Sequence, residues 1–167
     1  MTLPLTSPFT SGSIVTKAQL DALVNSINAL ARGLINETSA GAAVTLSTTG
    51  TAAFASSSKI TFTLTATRRV RIVVSCRFAP SGSTGRFNIE PGYNSGGSIN
   101  LGSATFVGQP NSVAATSTTQ ASAQSEATAL LTAGTWTAFA GVGRISGGTA
   151  TDQADTFYIA VYDEGDS

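Results

Sequence analysis

The chain is 167 residues long, 41% hydrophobic and formally neutral, with nine basic residues against nine acidic ones. That is enough apolar matter for one domain with an appendage, and the charge is too even to draw in nucleic acid or anionic lipid by an overall field. Histidine is absent and cysteine and methionine occur once each, so one subunit holds no transition-metal site, His-dependent catalytic centre or internal disulfide, and no cofactor is expected.

Residues 1–15 place Pro4 and Pro8 among Thr, Ser and Gly, which favours an extended strap. This start has no basic region and no long apolar run, and nowhere do about 18 apolar residues follow one another, so neither a secretory leader nor membrane insertion is expected. A helix is expected over residues 17–34. Thr16 and Gln19 have capping-box spacing, and Val15 and Leu20 occupy the two positions of a hydrophobic staple. Within it Leu20, Leu23, Ile27, Leu30 and Leu34 fall in a single a/d seam. A helix of ~27 Å is marginal alone, so the seam must be covered by the chain's own sandwich or by further copies. Gly33 weakens its last turn and Asn36 is the expected stop. Residues 1–36 therefore read as an attachment strap and oligomerisation helix.

Residues 37–50 are Thr, Ser, Ala and Gly without a clear period, and read as a linker. From residue 51 the period becomes two. Ile60, Phe62 and Leu64 alternate with Thr61, Thr63 and Thr65. Val70, Ile72, Val74, Cys76 and Phe78 alternate with a largely basic face that carries Arg69, Arg71 and Arg77. Further strands are expected over 86–89, 98–107, 113–127, 135–144 and 156–162, with turns at 92–97 and 146–149. The last strand is apolar on both sides, as suits a strand buried between sheets or at a subunit contact. The expected fold class is mainly β: a strap and single α-helix, then an antiparallel jelly-roll-like sandwich over 51–167.

Chemistry-bearing residues are sparse. There is no G-x-S-x-G elbow. Glu90 and Glu126 are the only acids between Glu37 and Asp152, which makes them the one pair open to a two-carboxylate glycosidase, although solvated surface glutamates are the simpler reading. Arg68, Arg69, Arg71, Arg77 and Arg86 form the one basic concentration. It is read as a solvated strand face, with an anionic polymer or a neighbour's acids as the alternative, and no nucleic-acid partner is expected. Gly141-Val142-Gly143 sits in a strand pattern, where close packing explains it better than nucleotide binding. Trp136, Tyr93 and Asn94 are candidates for a sugar-stacking site, with a core or interface role as the simpler reading of the tryptophan. Cys76, on an apolar face, is expected to pack. Asn36-Glu37-Thr38 matches the glycosylation pattern and, with no secretory leader expected, reads as a coincidence.

Two stretches carry a resemblance. FTSGSIVTKAQLDALVNSINAL (residues 9–30) and ALLTAGTWTAFAGVGRISGGTATDQADTFYIAVYDEG (residues 129–165) resemble the N-terminal segment and closing strands of small tailed-bacteriophage structural proteins of the minor tail, fibre or head-decoration type. The resemblance implies a non-enzymatic component of the virion surface, usually a homotrimer. Its residues 1–36 would attach to capsid or tail proteins while the β domain faces outward. The alternative is a receptor- or glycan-binding module of the tail whose loops, around Tyr93 or over 146–152, engage a host cell-surface glycan. A glycan depolymerase is the least favoured alternative.

Overall fold

The computed structural model describes residues 16–18, 20, 33–41, 43–46, 58–82, 84–116, 118–149 and 151–165. The chain divides into two units, Met1–Ala31 and Arg32–Ser167.

Of the first unit only residues 16–18 and 20 are described, and they show one helical bond, from the Leu20 N–H to the Thr16 carbonyl at 3.1 Å. Leu23, Ile27 and Leu30 of the expected seam lie outside the described residues. The helical half of the expected fold class needs correction, because every element among the described residues is a β-strand. The helix does not run to Leu34. Gly33 and Leu34 open the strand β1 (Gly33–Ala40), which pairs antiparallel with the last strand. Gly33 is costly inside a helix and a short helix nucleates poorly, whereas the open edge of the last strand supplies backbone partners at once. Half of β1 and all of β2 (Val44–Thr45) therefore fall within the segment 37–50, which reads as a linker by composition.

The second unit is a β-sandwich. Its strands continue as β3 (Lys59–Leu64), β4 (Arg68–Ala79), β5 (Gly85–Ser95), β6 (Thr105–Phe106), β7 (Asn111–Ala115), β8 (Ala121–Leu131), β9 (Gly134–Gly147) and β10 (Gln153–Gly165). One sheet has the order β1-β10-β4-β8 with β2 also on β10, the other β3-β9-β5-β6 with β7 also on β5. Neighbouring strands are mostly distant in sequence, as in a jelly roll. Alternation fixes the core: Val70, Ile72, Val74 and Phe78 of β4 meet Phe87 and Ile89 of β5, all fully buried. Phe78 and Phe87 stack across the sheets with centroids 5.1 Å apart.

The register places the β3–β4, β5–β6 and β8–β9 connections at one end of the sandwich, with Gly33 and Gly165. The β4–β5, β7–β8 and β9–β10 connections lie at the other. The two loop regions nominated from the sequence, around Tyr93 and over 146–152, are thus at opposite ends.

Candidate functional site

At the first end, β5 runs further than its composition suggests, through Gly92-Tyr93-Asn94-Ser95. Gly92 is required there, because a Cβ would stand 2.7 Å from the Phe139 ring, and Phe106 packs edge-on against the same ring at 5.8 Å. The register sets Tyr93 opposite Ala138 and Ser95 opposite Trp136, which brings the Tyr93 and Trp136 rings into a T-shaped contact at 5.7 Å. Both rings are half-buried and pack on the edge of the core. The Trp136 indole N–H donates to the Thr132 carbonyl at 2.9 Å, which fixes its plane.

Asn94 is 4% exposed and organises the loop that follows. Its amide nitrogen donates to the carbonyls of Ser95 (2.9 Å) and Ser98 (2.6 Å), and its amide oxygen accepts from the Asn100 N–H at 3.3 Å. From outside, the Thr137 hydroxyl donates to the Gly96 carbonyl at 2.6 Å and the Lys59 ammonium to the Gly97 carbonyl at 3.2 Å. The exposed Ser98, Asn100, Leu101 and Ser103 thus sit on a braced arch at the same end of the sandwich as the aromatic pair, held from the outer face of the sheet whose inner side carries the two rings. Of the three sugar-site candidates, Tyr93 and Trp136 offer ring surface, while Asn94 shapes the loop and is too buried to reach a ligand.

The basic strand face resolves differently. Arg71 donates from Nε to Glu164 at 2.7 Å and from Nη1 to Glu126 at 3.2 Å, and its guanidinium lies 4.4 Å from the centre of the Tyr162 ring. The bond to Glu164 does most to hold its pKa above the ordinary value. Arg77 is bidentate on Asp155, and Arg68 lies 3.8 Å from Asp163. With these charges matched inside the chain, the face has little left for an anionic polymer.

The two candidate acids do not form a pair. Glu90 faces outward from β5 opposite Gly141, whereas Glu126 faces outward from β8 opposite Val73, so they stand on opposite outer faces of the sandwich. Burial raises the Glu90 carboxyl above its usual range, but sheets pack about 10 Å apart before the outward side chains are counted, which is beyond a two-carboxylate mechanism. Among the described residues no group of three or more His, Cys, Asp or Glu stands together to hold a metal ion. Cys76 is 2% exposed in the core, and burial, then the charge of Asp155, pushes its thiol up to about 12. Gly141 has the packing reason expected for it, since a Cβ there would run into the Phe106 ring.

The far end holds a hub that sequence reasoning missed. Asp152, fully buried, accepts from the Ser81 N–H (2.9 Å), the Thr149 N–H (2.7 Å) and the Thr149 hydroxyl (2.9 Å), while its own carbonyl takes the Leu46 N–H at 2.8 Å. It pins the β4–β5 and β9–β10 loops and β2 together. A Gly-Gly turn followed by a threonine and, three residues later, an acid was the available signal. Of the five residues nominated for oligomerisation or docking, the structure describes Leu20, 53% exposed, and Leu34, 50% exposed on β1.

No protein-family model matches the chain, and no curated protein matches it. Among solved structures it is similar to Eiger TNF from S. frugiperda, at 12% identity and a TM-score of 0.41, over 81% of this chain and 96% of that one. It is also similar to a chain of infectious bursal disease virus, Gx strain, at 12% identity and a TM-score of 0.38. That match covers 77% of this chain and 32% of the viral one, so this chain spans about a third of its length. The expected resemblance to phage virion proteins built on an N-terminal attachment helix is corrected accordingly: the described elements are all strands, and Leu34, the end of the attachment seam, belongs to the sandwich. The reading of the chain as a virion appendage anchored by that helix falls with it.

Proposed function

We propose that the chain is a non-catalytic recognition module that engages a cell-surface glycan through the sandwich end carrying Tyr93, Trp136 and the loop of residues 96–104. The observation that carries this reading is a half-buried aromatic pair at the same end of the sandwich as a polar loop braced by Asn94. Sugars are held by an apolar ring surface against their C–H groups and by a few fixed polar groups for their hydroxyls. A braced loop loses little freedom on binding, so more of each contact survives as affinity. The separation of Glu90 from Glu126 on opposite faces supports recognition without cleavage.

The test is a glycan array probed with the full chain, followed by titration of any glycan retained. Asn100→Ala, and Trp136→Phe, which frees the ring from Thr132, are each expected to weaken binding about tenfold, the scale of one lost hydrogen bond. An array without signal, or a bound glycan indifferent to both changes, rejects the reading.

A further inference from the structure

We infer that the outer face of the β1-β10-β4-β8 sheet is an interface with a second copy of this chain. The sequence already marks β10 as apolar on both sides, and only one side meets the core. Phe157, Ile159 and Val161 point inward, while Tyr158, Ala160 and Tyr162 point outward with Val73 of β4. Ala160 and Val73 are already covered by their neighbours in the chain and the two tyrosines are half-buried, so the apolar surface left open on this face is that of the rings and of the leucines beside them. Two of the most exposed large apolar side chains lie on the same face, Leu34 of β1 at 50% and Leu130 of β8 at 58%. The opposite outer face offers Thr61, Thr63, Thr135 and Thr137, whose hydroxyls are bonded pairwise across β3 and β9.

Charge argues for a copy of the same chain as the occupant. Outward charges are sorted by strand: arginines 69, 71 and 77 on β4, acids on its neighbours, Asp155 and Glu164 on β10 and Glu126 on β8. The Arg71 and Arg77 pairs are already closed within each copy, so docking buries no uncompensated charge on them, which is the usual obstacle to covering such a face. A copy offset by one strand sets its arginine column over the acid column of the other, so the closed pairs meet no like charge across a symmetric contact. Four strands about 4.8 Å apart and some ten residues long give roughly 600 Å² of plane before side-chain relief, near the ~800 Å² per partner of a stable interface.

Sedimentation of the full chain across the micromolar range is the experiment, on the wild type, the double variant Leu34→Glu/Leu130→Glu and Thr63→Glu on the opposite face. The wild type and Thr63→Glu are expected to associate, and the double variant to sediment as a folded monomer by circular dichroism, its dissociation constant raised at least about tenfold. Both leucines are half exposed, so the core is untouched, and Leu130→Lys gives a milder second variant. A wild type that stays monomeric, or association that survives the double variant, overturns the inference.

Discussion

Arg77 and Asp155 face each other across β4 and β10 as a two-pronged pair, Nε on Oδ1 and Nη2 on Oδ2, both at 2.8 Å, where β10 slips its register. The slip lies between Asp155 and Tyr158 and contains Thr156 at φ 52°, the one non-glycine residue among those described with a positive φ. The extra residue lets Asp155 and Tyr158 both face outward while Phe157 stays in the core. A β-branched residue in the left-handed region costs on the order of 1–2 kcal/mol, and the ion pair holds the bulge against that cost. Thr156→Asn is therefore expected to stabilise the sandwich by about 0.5–1 kcal/mol, a rise of about 3 °C in Tm by thermal denaturation. An unchanged or lower Tm would show that the threonine is not strained.

Asp152 makes the same kind of clamp through N–H and hydroxyl donors. Burial alone would raise its carboxyl, but N–H donors from Ser81 and Thr149 and their hydroxyls outweigh burial and lower it. A carboxyl depressed in the folded state adds stability above its unfolded value of about 3.9, and that stability is lost as pH falls through the lower folded value. Asp152→Ala leaves two part-buried N–H groups without this acceptor and is expected to cost about 2 kcal/mol. The decline of Tm below pH 4 should also be shallower in the variant. Equal acid slopes in the two proteins would remove Asp152 from the account.

How much of this was legible follows from where each constraint acts. β3 and β4 announce themselves because apolar residues alternate along one buried face, and β9 and β10 because long apolar runs stand between clear turn signals. The second half of β5 does not, since Gly92 and Asn94 are turn residues by composition, and their reasons, the Phe139 ring and the loop to Asn100, are tertiary. The expected single strand over 113–127 breaks where Thr116 and Thr119 exchange backbone bonds of 2.9 and 3.2 Å, inside an Ala/Ser/Thr stretch with no change of composition to mark it. Leu34 fits a heptad as well as a strand, and only the edge of β10 decides between them. Tyr93, Trp136 and Asn94 are grouped as candidates for one site by their chemistry alone, but the contact of the two rings depends on the β5–β9 register, which no local signal specifies.

The glycine at 141 gives a test of that long-range packing. Its missing side chain admits the Phe106 ring, which in turn stands edge-on against the buried Phe139. Gly141→Ala is expected to destabilise by about 2 kcal/mol through overpacking. In the background of Phe106→Ala the same change should cost far less, because the ring it strikes is gone. Additive effects in denaturant unfolding would mean that the two residues do not share this contact.

Tyr158 ties β1 to β10, its hydroxyl donating to Glu37 Oε2 at 2.7 Å. That bond, chiefly, pushes the phenol up to about 12. A phenol raised in the folded state keeps its contribution to stability below the unfolded value of about 10 and loses it as pH climbs towards the folded one. In wild-type protein one tyrosine should ionise late by phenolate absorbance, and Glu37→Gln, which removes the carboxylate charge, should bring that step back towards 10. In the variant β1, which pairs with β10 alone among the described strands, should also exchange its amide hydrogens sooner than β4, which is bonded on both sides. If Glu37→Gln left the late titration in place, the elevated phenol would have to be traced to Tyr162, the other group that faces it, and the clip between β1 and β10 would be no more than a surface contact.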